Sequence, residues 1–477
     1  MLRYFTTVCG IIFTLCFPML ACAAPEGVPH LDGATMQLTW VIPFAGMLLS
    51  IALFPLVLPH FWHHNFGKVS ILWSILFLVP FTISYGFSLA LYEVLHVLLL
   101  EYIPFIVLLF ALYTVAGGIR LKGTLVGTPS VNTGLLFLGT CIASITGTTG
   151  AAILLIRPLL NANKERKYKV HSVVFFIFLV ANIGGSLTPL GDPPLFLGFL
   201  NGVSFFWTTK HLFFPMFLTS LILLIIYLVV DTLLYRKEIA ERPVTATKTV
   251  SKTEPLSIEG QFNFALLGVI IAMVLLSGFW KPGIVLMIKG IPVELQNIVR
   301  DIMLIITAFV SLKVTDQASR DANGFTWFPI EEVGKLFIGI FITMIAPIAI
   351  LKAGKSGALQ DLISLVSTPN GEPVNAMYFW LTGMLSSFLD NAPTYLVFFN
   401  TAGGDATLLM DHVDTLLAVS MGAVFMGANS YIGNAPNFMV RSIAEDQGVA
   451  MPSFFGYLLW SFGILIPIFI FLTVLFF

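Results

Sequence analysis

The sequence predicts an all-α polytopic membrane protein made of two inverted repeats, each with three spans, a re-entrant hairpin, a broken helix and a final span. Three observations predict it. Hydrophobic residues make up 57% of the chain and charged residues only 10%, with a mean hydropathy of +0.93, so lipid must solvate most of its surface. Four long apolar stretches are interrupted midway by Gly, Pro, Thr, Asn or Asp. The interruptions in the two halves match each other at a constant spacing.

The chain opens with MLRYFTTVCGIIFTLCFPMLACAAPEG. Arg3, a short apolar stretch and the small-residue exit Ala21-Cys22-Ala23 read as a cleavable signal over 1–24. An uncleaved first helix is the alternative, because roughly 18 apolar residues approach a full span. Cleavage would remove Cys9, Cys16 and Cys22 and leave Cys141 alone, which excludes a disulfide framework or a thiolate metal site. The first repeat, 25–235, then holds ordinary spans at 37–58, 69–97, 100–118 and 212–234, a hairpin at 133–160 and a broken helix at 170–203. The polar stretch RKEIAERPVTATKTVSKTEPLSIEG, 236–260, reads as a cytoplasmic linker. The second repeat, 261–477, holds spans at 262–281, 292–313, 331–352 and 452–477, a hairpin at 376–400 and a broken helix at 413–444.

Charge sets the expected orientation. Arg236, Lys237, Arg242, Lys248 and Lys252 share a side with the KERKYK cluster at 164–169, because two crossings separate them. Tracing the chain both ways puts 16 of the 24 Lys and Arg residues on that side, including Lys68 in the segment 59–68, and only Lys210, Lys281, Lys289, Arg300, Lys352 and Lys355 on the other, with Arg157 in the hairpin and Arg3 in the signal making up the total. The basic side is therefore expected to be cytoplasmic, in a bacterial-type inner (plasma) membrane, with the mature N-terminus outside. A net charge of −1 offers no basic field for nucleic acid, so lipid and a small ion or small molecule are the expected partners.

The break NIGGSLTPLGDPPLF in the first half matches GANSYIGNAPNFM in the second, with Gly191-Asp192-Pro193-Pro194 on Gly433-Asn434-Ala435-Pro436 at an offset of 242. The same offset places Thr148-Thr149 of SITGTTGAA on Asp390-Asn391 of SSFLDNAPT, 44 residues before the break in both halves. Gly and Pro at mid-membrane leave backbone groups unpaired at a cost of several kcal/mol each unless a polar cavity meets them. Freed carbonyls and helix C-termini suit a cation, and helix N-termini suit an anion.

Asp192 and Asp390 sit inside these breaks. An Asp at the bilayer centre costs about 2.5 to 3.5 kcal/mol on insertion scales. Each is read as an ion ligand, although a turn or helix-capping role is the plainer alternative. Desolvation favours a proton on such a carboxylate and a bound cation favours its release, so H+ and Na+ would compete for one oxygen cage. Thr146, Thr148, Thr149, Asn182, Ser186, Thr188, Asn391, Thr394, Asn429, Ser430 and Asn434 supply neutral oxygens and amides around it, although each alone could simply bond the preceding helical turn. Glu93, His96, His171 and Asp301 fit interfacial or packing roles better. No Gly-x-Ser-x-Gly elbow, no His-Glu-x-x-His and no paired His at helical spacing inside an expected span is found, so no enzyme and no bound cofactor is expected; transported Na+ and H+ are.

Through Gly184-Gly185-Ser186-Leu187-Thr188-Pro189-Leu190-Gly191-Asp192 and Ser386-Ser387-Phe388-Leu389-Asp390-Asn391-Ala392-Pro393, the mature chain resembles the ion transporter superfamily. Within it, the chain resembles the NhaD-type sodium/proton antiporters and the neighbouring putative citrate transporters (CitMHS-like). The resemblance implies a scaffold domain that forms a homodimer and a transport domain of hairpins and broken helices that moves elevator-like. Pro193-Pro194 departs from the antiporters, and Gly433-Asn434-Ala435-Pro436-Asn437 looks closer to carboxylate and arsenite relatives. The leading expectation is sodium/proton antiport with Na+ on Asp192 and Asp390. Sodium- or proton-coupled uptake of citrate or a dicarboxylate is the alternative, and an arsenite-type efflux carrier the third.

Overall fold

The structure is a computed structural model that describes residues 31–241 and 254–477. The signal read over 1–24 and the middle of the expected linker lie outside the described residues. Ten of the described helices are long and apolar enough to cross a membrane. The protein is an all-α polytopic membrane protein.

The first half runs α1 (Leu38–Val57), α2 (Pro59–Tyr85), α3 (Phe87–Ala116), the hairpin pair α4 (Pro129–Thr146) and α5 (Thr148–Ala162), the broken pair α6 (Val170–Leu187) and α7 (Pro193–Leu200), and α8 (Phe205–Glu241). The second half repeats this order. It runs α9 (Phe262–Phe279), α10 (Leu295–Val314), α11 (Phe328–Lys352), the hairpin pair α12 (Asn375–Phe388) and α13 (Asn391–Thr401), the broken pair α14 (Val413–Asn429) and α15 (Ala435–Asp446), and α16 (Phe454–Phe476).

Packing repeats with the order. The helix pair α2 and α11 has its counterpart in α10 and α3, and α1 on α2 is matched by α9 on α10. At the breaks, α7 packs on α13 of the other half as α15 packs on α5. Each half therefore covers the other's short half-helix, which alone is too short to bury its apolar face. Two short ribbons complete the fold. β1 (Arg120–Lys122) pairs antiparallel with β2 (Ser257–Glu259) and ties the halves together on one face, and β3 (Val285–Ile288) pairs with β4 (Ile291–Glu294). The latter turns through Lys289 and Gly290, both at positive φ, the conformation a two-residue hairpin favours.

Three boundaries differ from the sequence expectation. The chain reverses at Gly86 (φ 88°), so the spans expected at 69–97 and 100–118 are instead α2 and α3, and 59–68 is helix rather than a connecting segment. Apolar residues flank that turn on both sides, so hydropathy carries no mark of it; the glycine does, because its backbone can adopt this φ. Residues 98–102, where the sequence suggested a boundary, are a π-bulge inside α3. Finally, the first six residues of the expected linker, 236–241, continue α8, because Glu238 is held by Arg166 (2.8 Å).

Candidate functional site

The two breaks are built alike. Both turn where glycines let the backbone cross itself. A Cβ on Gly191 would fall 2.0 Å from the Gly185 carbonyl oxygen, and one on Gly433 would fall 2.5 Å from that of Gly427. These pairs are related by 242 residues, the offset read from the sequence. Asp192 and Asn434 accordingly occupy the same position, the N-cap of the second half-helix, followed by Pro in the first turn of each.

At the hairpin tips the relation is one residue longer. Gly147 caps α5 and Asp390 caps α13, so Thr148 corresponds to Asn391 and not to Asp390. The sequence alignment of Thr148-Thr149 with Asp390-Asn391 is corrected to an offset of 243, and the tip-to-break spacing is 44 residues in the first half and 43 in the second. The stem serines show the same shift. Ser144 Oγ donates to the Gly184 carbonyl (2.6 Å), and Ser387 Oγ to that of Met426 (3.0 Å).

All four positions meet at Asp192. Its Oδ1 accepts from Thr148 Oγ1 (3.2 Å) and Asn434 Nδ2 (3.0 Å), and its Oδ2 from Asn391 Nδ2 (2.6 Å). The Asp192 side chain makes no bond to the helix it precedes, although it stands at the capping position. Asp390 differs: its carboxylate accepts from the Ala392 amide (3.1 Å) and caps α13, while its other face lines the cavity. The capping role is thus present at Asp390, and Asp192 instead accepts from three side chains. Among the described residues, no Lys, Arg or His lies within ion-pair distance of either carboxylate.

The remaining candidates form two groups. Thr146 and Thr149 line the cavity beside Thr148. Asn182 sits where the breaks cross: its Nδ2 donates to Asn437 Oδ1 (2.7 Å) and its Oδ1 accepts from Asn434 Nδ2 (3.2 Å). Thr188 and Ser430 donate to the Ser144 and Ser387 carbonyls and stitch break to hairpin stem. Ser186 turns back on the Ile183 carbonyl (2.8 Å), Thr394 on that of Asp390 (2.9 Å), and Asn429 Nδ2 donates to Ser387 Oγ (2.9 Å). None of Asn182, Ser186, Thr188, Asn391, Thr394, Asn429 and Ser430 lines the cavity wall. Two amide oxygens, Asn391 Oδ1 and Asn429 Oδ1, are buried with no hydrogen-bond partner among the described residues. Of these, Asn391 is in contact with Asp192, and its oxygen, the Asp192 carboxylate and the Thr148 hydroxyl are hard donors of the kind that suits a hard cation rather than a soft metal.

Asn437, Ser144 and Ser387 were not among the candidates read from sequence. Asn437 Nδ2 bridges the carbonyls of Gly427 and Ser430 (2.9 Å each), which unwinding had released. The stretch N-A-P-N held the signal, in that a second amide one turn past a break can reach back to its carbonyls.

The cavity has a volume of about 410 Å³ and runs from the tips, where Thr148, Asp192, Asp390 and Asn434 line it, to Arg157, Gly324, Thr326 and Asp446. That end lies on the β1–β2 face, because Asn323 Nδ2 donates to the carbonyls of Gly117 and Ile119 just before β1.

Two hairpins and two broken helices meeting at buried polar tips, in a shell of membrane-length helices, define a transport protein of the secondary-carrier class. The family model described as putative citrate transport matches residues 33–477, nearly the whole chain, and the protein belongs to that family. No curated protein matches the chain.

Proposed function

We propose that this protein carries a carboxylate of the citrate class across the membrane, coupled to H+ or Na+ held at Asp192. The single observation that carries the reading is the junction at Asp192: one buried carboxylate gathers a donor from each of the other three symmetry-related positions, all of them neutral. With no basic side chain in contact, its charge is left for a mobile cation to balance. Loading and release of that cation would change the energetics of both tips and both breaks at once, which is what coupling requires. Cavity size supports an organic cargo. A bare ion needs only about 10–15 Å³ of free volume, roughly one water, whereas organic ligands occupy pockets of about 300–1,000 Å³. Family membership supports the same substrate class.

In this reading the two halves are inverted repeats, 25–235 and 261–477. The β1–β2 face is cytoplasmic, and the cavity belongs to the inward-open state of an alternating-access cycle. A second reading, sodium/proton antiport, is favoured by Asp192 and Asp390 being, among the described residues, the carboxylates that line the tip end of the cavity.

Proteoliposomes with a trapped pH dye and an inside-acid gradient test both. Uptake of labelled citrate that needs Na+ or H+ and is lost in Asp192→Asn supports carboxylate transport. Alkalinisation of the lumen by NaCl or LiCl, with no citrate uptake, replaces it with antiport.

A further inference from the structure

We propose that Arg157 is the anion-recognition residue of this carrier, the guanidinium that takes a substrate carboxylate at the mouth of the cavity. The inference rests on the carboxylate reading above and names the side chain that would supply the positive charge.

Among the described residues, Arg157 is the only basic side chain on the cavity wall. It sits on α5 nine residues beyond Thr148, or about 13 Å along the helix at 1.5 Å per residue, and so between the β1–β2 face and Asp192. A seat is built for it. Nη1 donates to the Asn323 carbonyl, and the Asn323 side chain is itself pinned to the Gly117 and Ile119 carbonyls. The next residue is Gly324 at φ +62°, where a Cβ would fall 2.0 Å from Nη2. A side chain at 324 would therefore push the guanidinium off its seat.

The seat uses one edge of the fork and leaves the rest. Arg carries five N–H donors. Beyond the bond to Asn323, no acceptor for Arg157 is found among the described residues, and no carboxylate lies within ion-pair distance. Among the described residues, the buried arginines lie off the cavity wall, although Arg300 Nη2 and Arg320 Nε also lack a partner. Arg166 is engaged by Asp231, Glu238 and the Gly127 carbonyl, and Arg320 by the Thr114 carbonyl and both oxygens of Ser311. Among the described residues, Arg157 alone of the arginines brings unengaged donors to the cavity wall. A planar fork of that kind matches a carboxylate in a way an ammonium does not. Asp446 and Glu332 line the same wall, and Tyr113 stands nearby. The negative charge of Asp446 acts on the guanidinium without pairing with it, so the fork stays open to a carboxylate from the cavity.

The test uses the full chain in proteoliposomes with labelled citrate, comparing wild type, Arg157→Gln and Arg157→Lys, each checked for wild-type melting in detergent. The expected result is a KM about 10–100-fold higher in Arg157→Gln at a nearly unchanged maximal rate, the equivalent of one charge-assisted hydrogen-bond pair. Partial recovery in Arg157→Lys is expected as well. Should Arg157→Gln fail to fold, Arg157→Lys carries the test, since it keeps the charge and loses the fork. An unchanged KM in either variant, or a fall in maximal rate alone, overturns the assignment while leaving citrate transport intact. Absence of citrate uptake by the wild type overturns the carboxylate reading, and this inference with it.

Discussion

Replacing Asp192 by Asn should abolish coupling and leave the fold standing, and the structure gives the reason. Asp192 accepts three hydrogen bonds, and an Asn there has one acceptor oxygen to offer in place of two. With that oxygen toward Thr148 and Asn434, the new amide nitrogen faces Asn391 Nδ2 across 2.6 Å, donor against donor. Asn391 can resolve this by flipping, because its Oδ1 has no partner to lose. After the flip the same number of bonds exists and only the charge is gone. Asp192→Ala has no such escape. It strands Asn391 Nδ2 and the Thr148 hydroxyl, two buried donors at about 1–3 kcal/mol each, while Asn434 keeps its bonds to Ala181 and Asn182. The two variants should therefore separate by about 2–6 kcal/mol. In detergent melting followed by intrinsic fluorescence, Asp192→Asn should lie close to wild type and Asp192→Ala clearly below it. Both should lack ion-coupled uptake. Coupled transport by Asp192→Asn would refute the coupling role of the charge, and equal destabilisation by the two variants would refute the flip.

Three further outcomes are expected. Gly191→Ala should prevent the first break from forming, since its Cβ would meet the Gly185 carbonyl oxygen, whereas Gly134→Ala on α4 meets nothing and should be neutral or slightly stabilising; yield of folded protein by size-exclusion chromatography separates them. Arg166→Ala should cost about 3–5 kcal/mol, because its guanidinium is the shared cation for buried Asp231 and Glu238 (2.7 and 2.8 Å), and the loss is read as a lowered melting temperature with little recovery in high salt. On the β1–β2 face, the hydrogen bond from Arg120 holds the Glu259 carboxyl below its ordinary range. A lowered folded value contributes stability above the ordinary carboxylate range that is lost as pH falls through it. The melting gap between wild type and Glu259→Gln should thus be small, present at neutral pH, and closed in acid.

Hydropathy and spacing sufficed for the order of helices, because a membrane span must be long, apolar and internally hydrogen-bonded, which leaves few alternatives to a helix. The breaks were equally legible. Gly185 and Gly191 recur as Gly427 and Gly433 at the same offset because only glycine permits that crossing of backbone. At the tips the alignment slipped by one residue, since Gly147 and Asp390 are unlike side chains in one capping position, and capping is a geometric role that two residue types can fill. The turn at Gly86 was missed for a related reason: apolar residues surround it, and hydropathy registers composition rather than backbone direction.

By itself, the sequence determined the membrane fold, the duplicated order and the positions where helices must unwind, because those follow from local composition and from glycine and proline stereochemistry. Only the tertiary structure decided that Asp192 and Asp390, alike in sequence, do different work. One accepts donors from three elements up to 242 residues away, and the other caps its own helix. The same holds for Arg157, a cation with no role assigned in an apolar hairpin until a loop some 166 residues further on turns a carbonyl and a glycine to meet it. Hydrogen bonding and charge act over a few ångströms of space, and which residues share those ångströms is set by the packing of one half against the other.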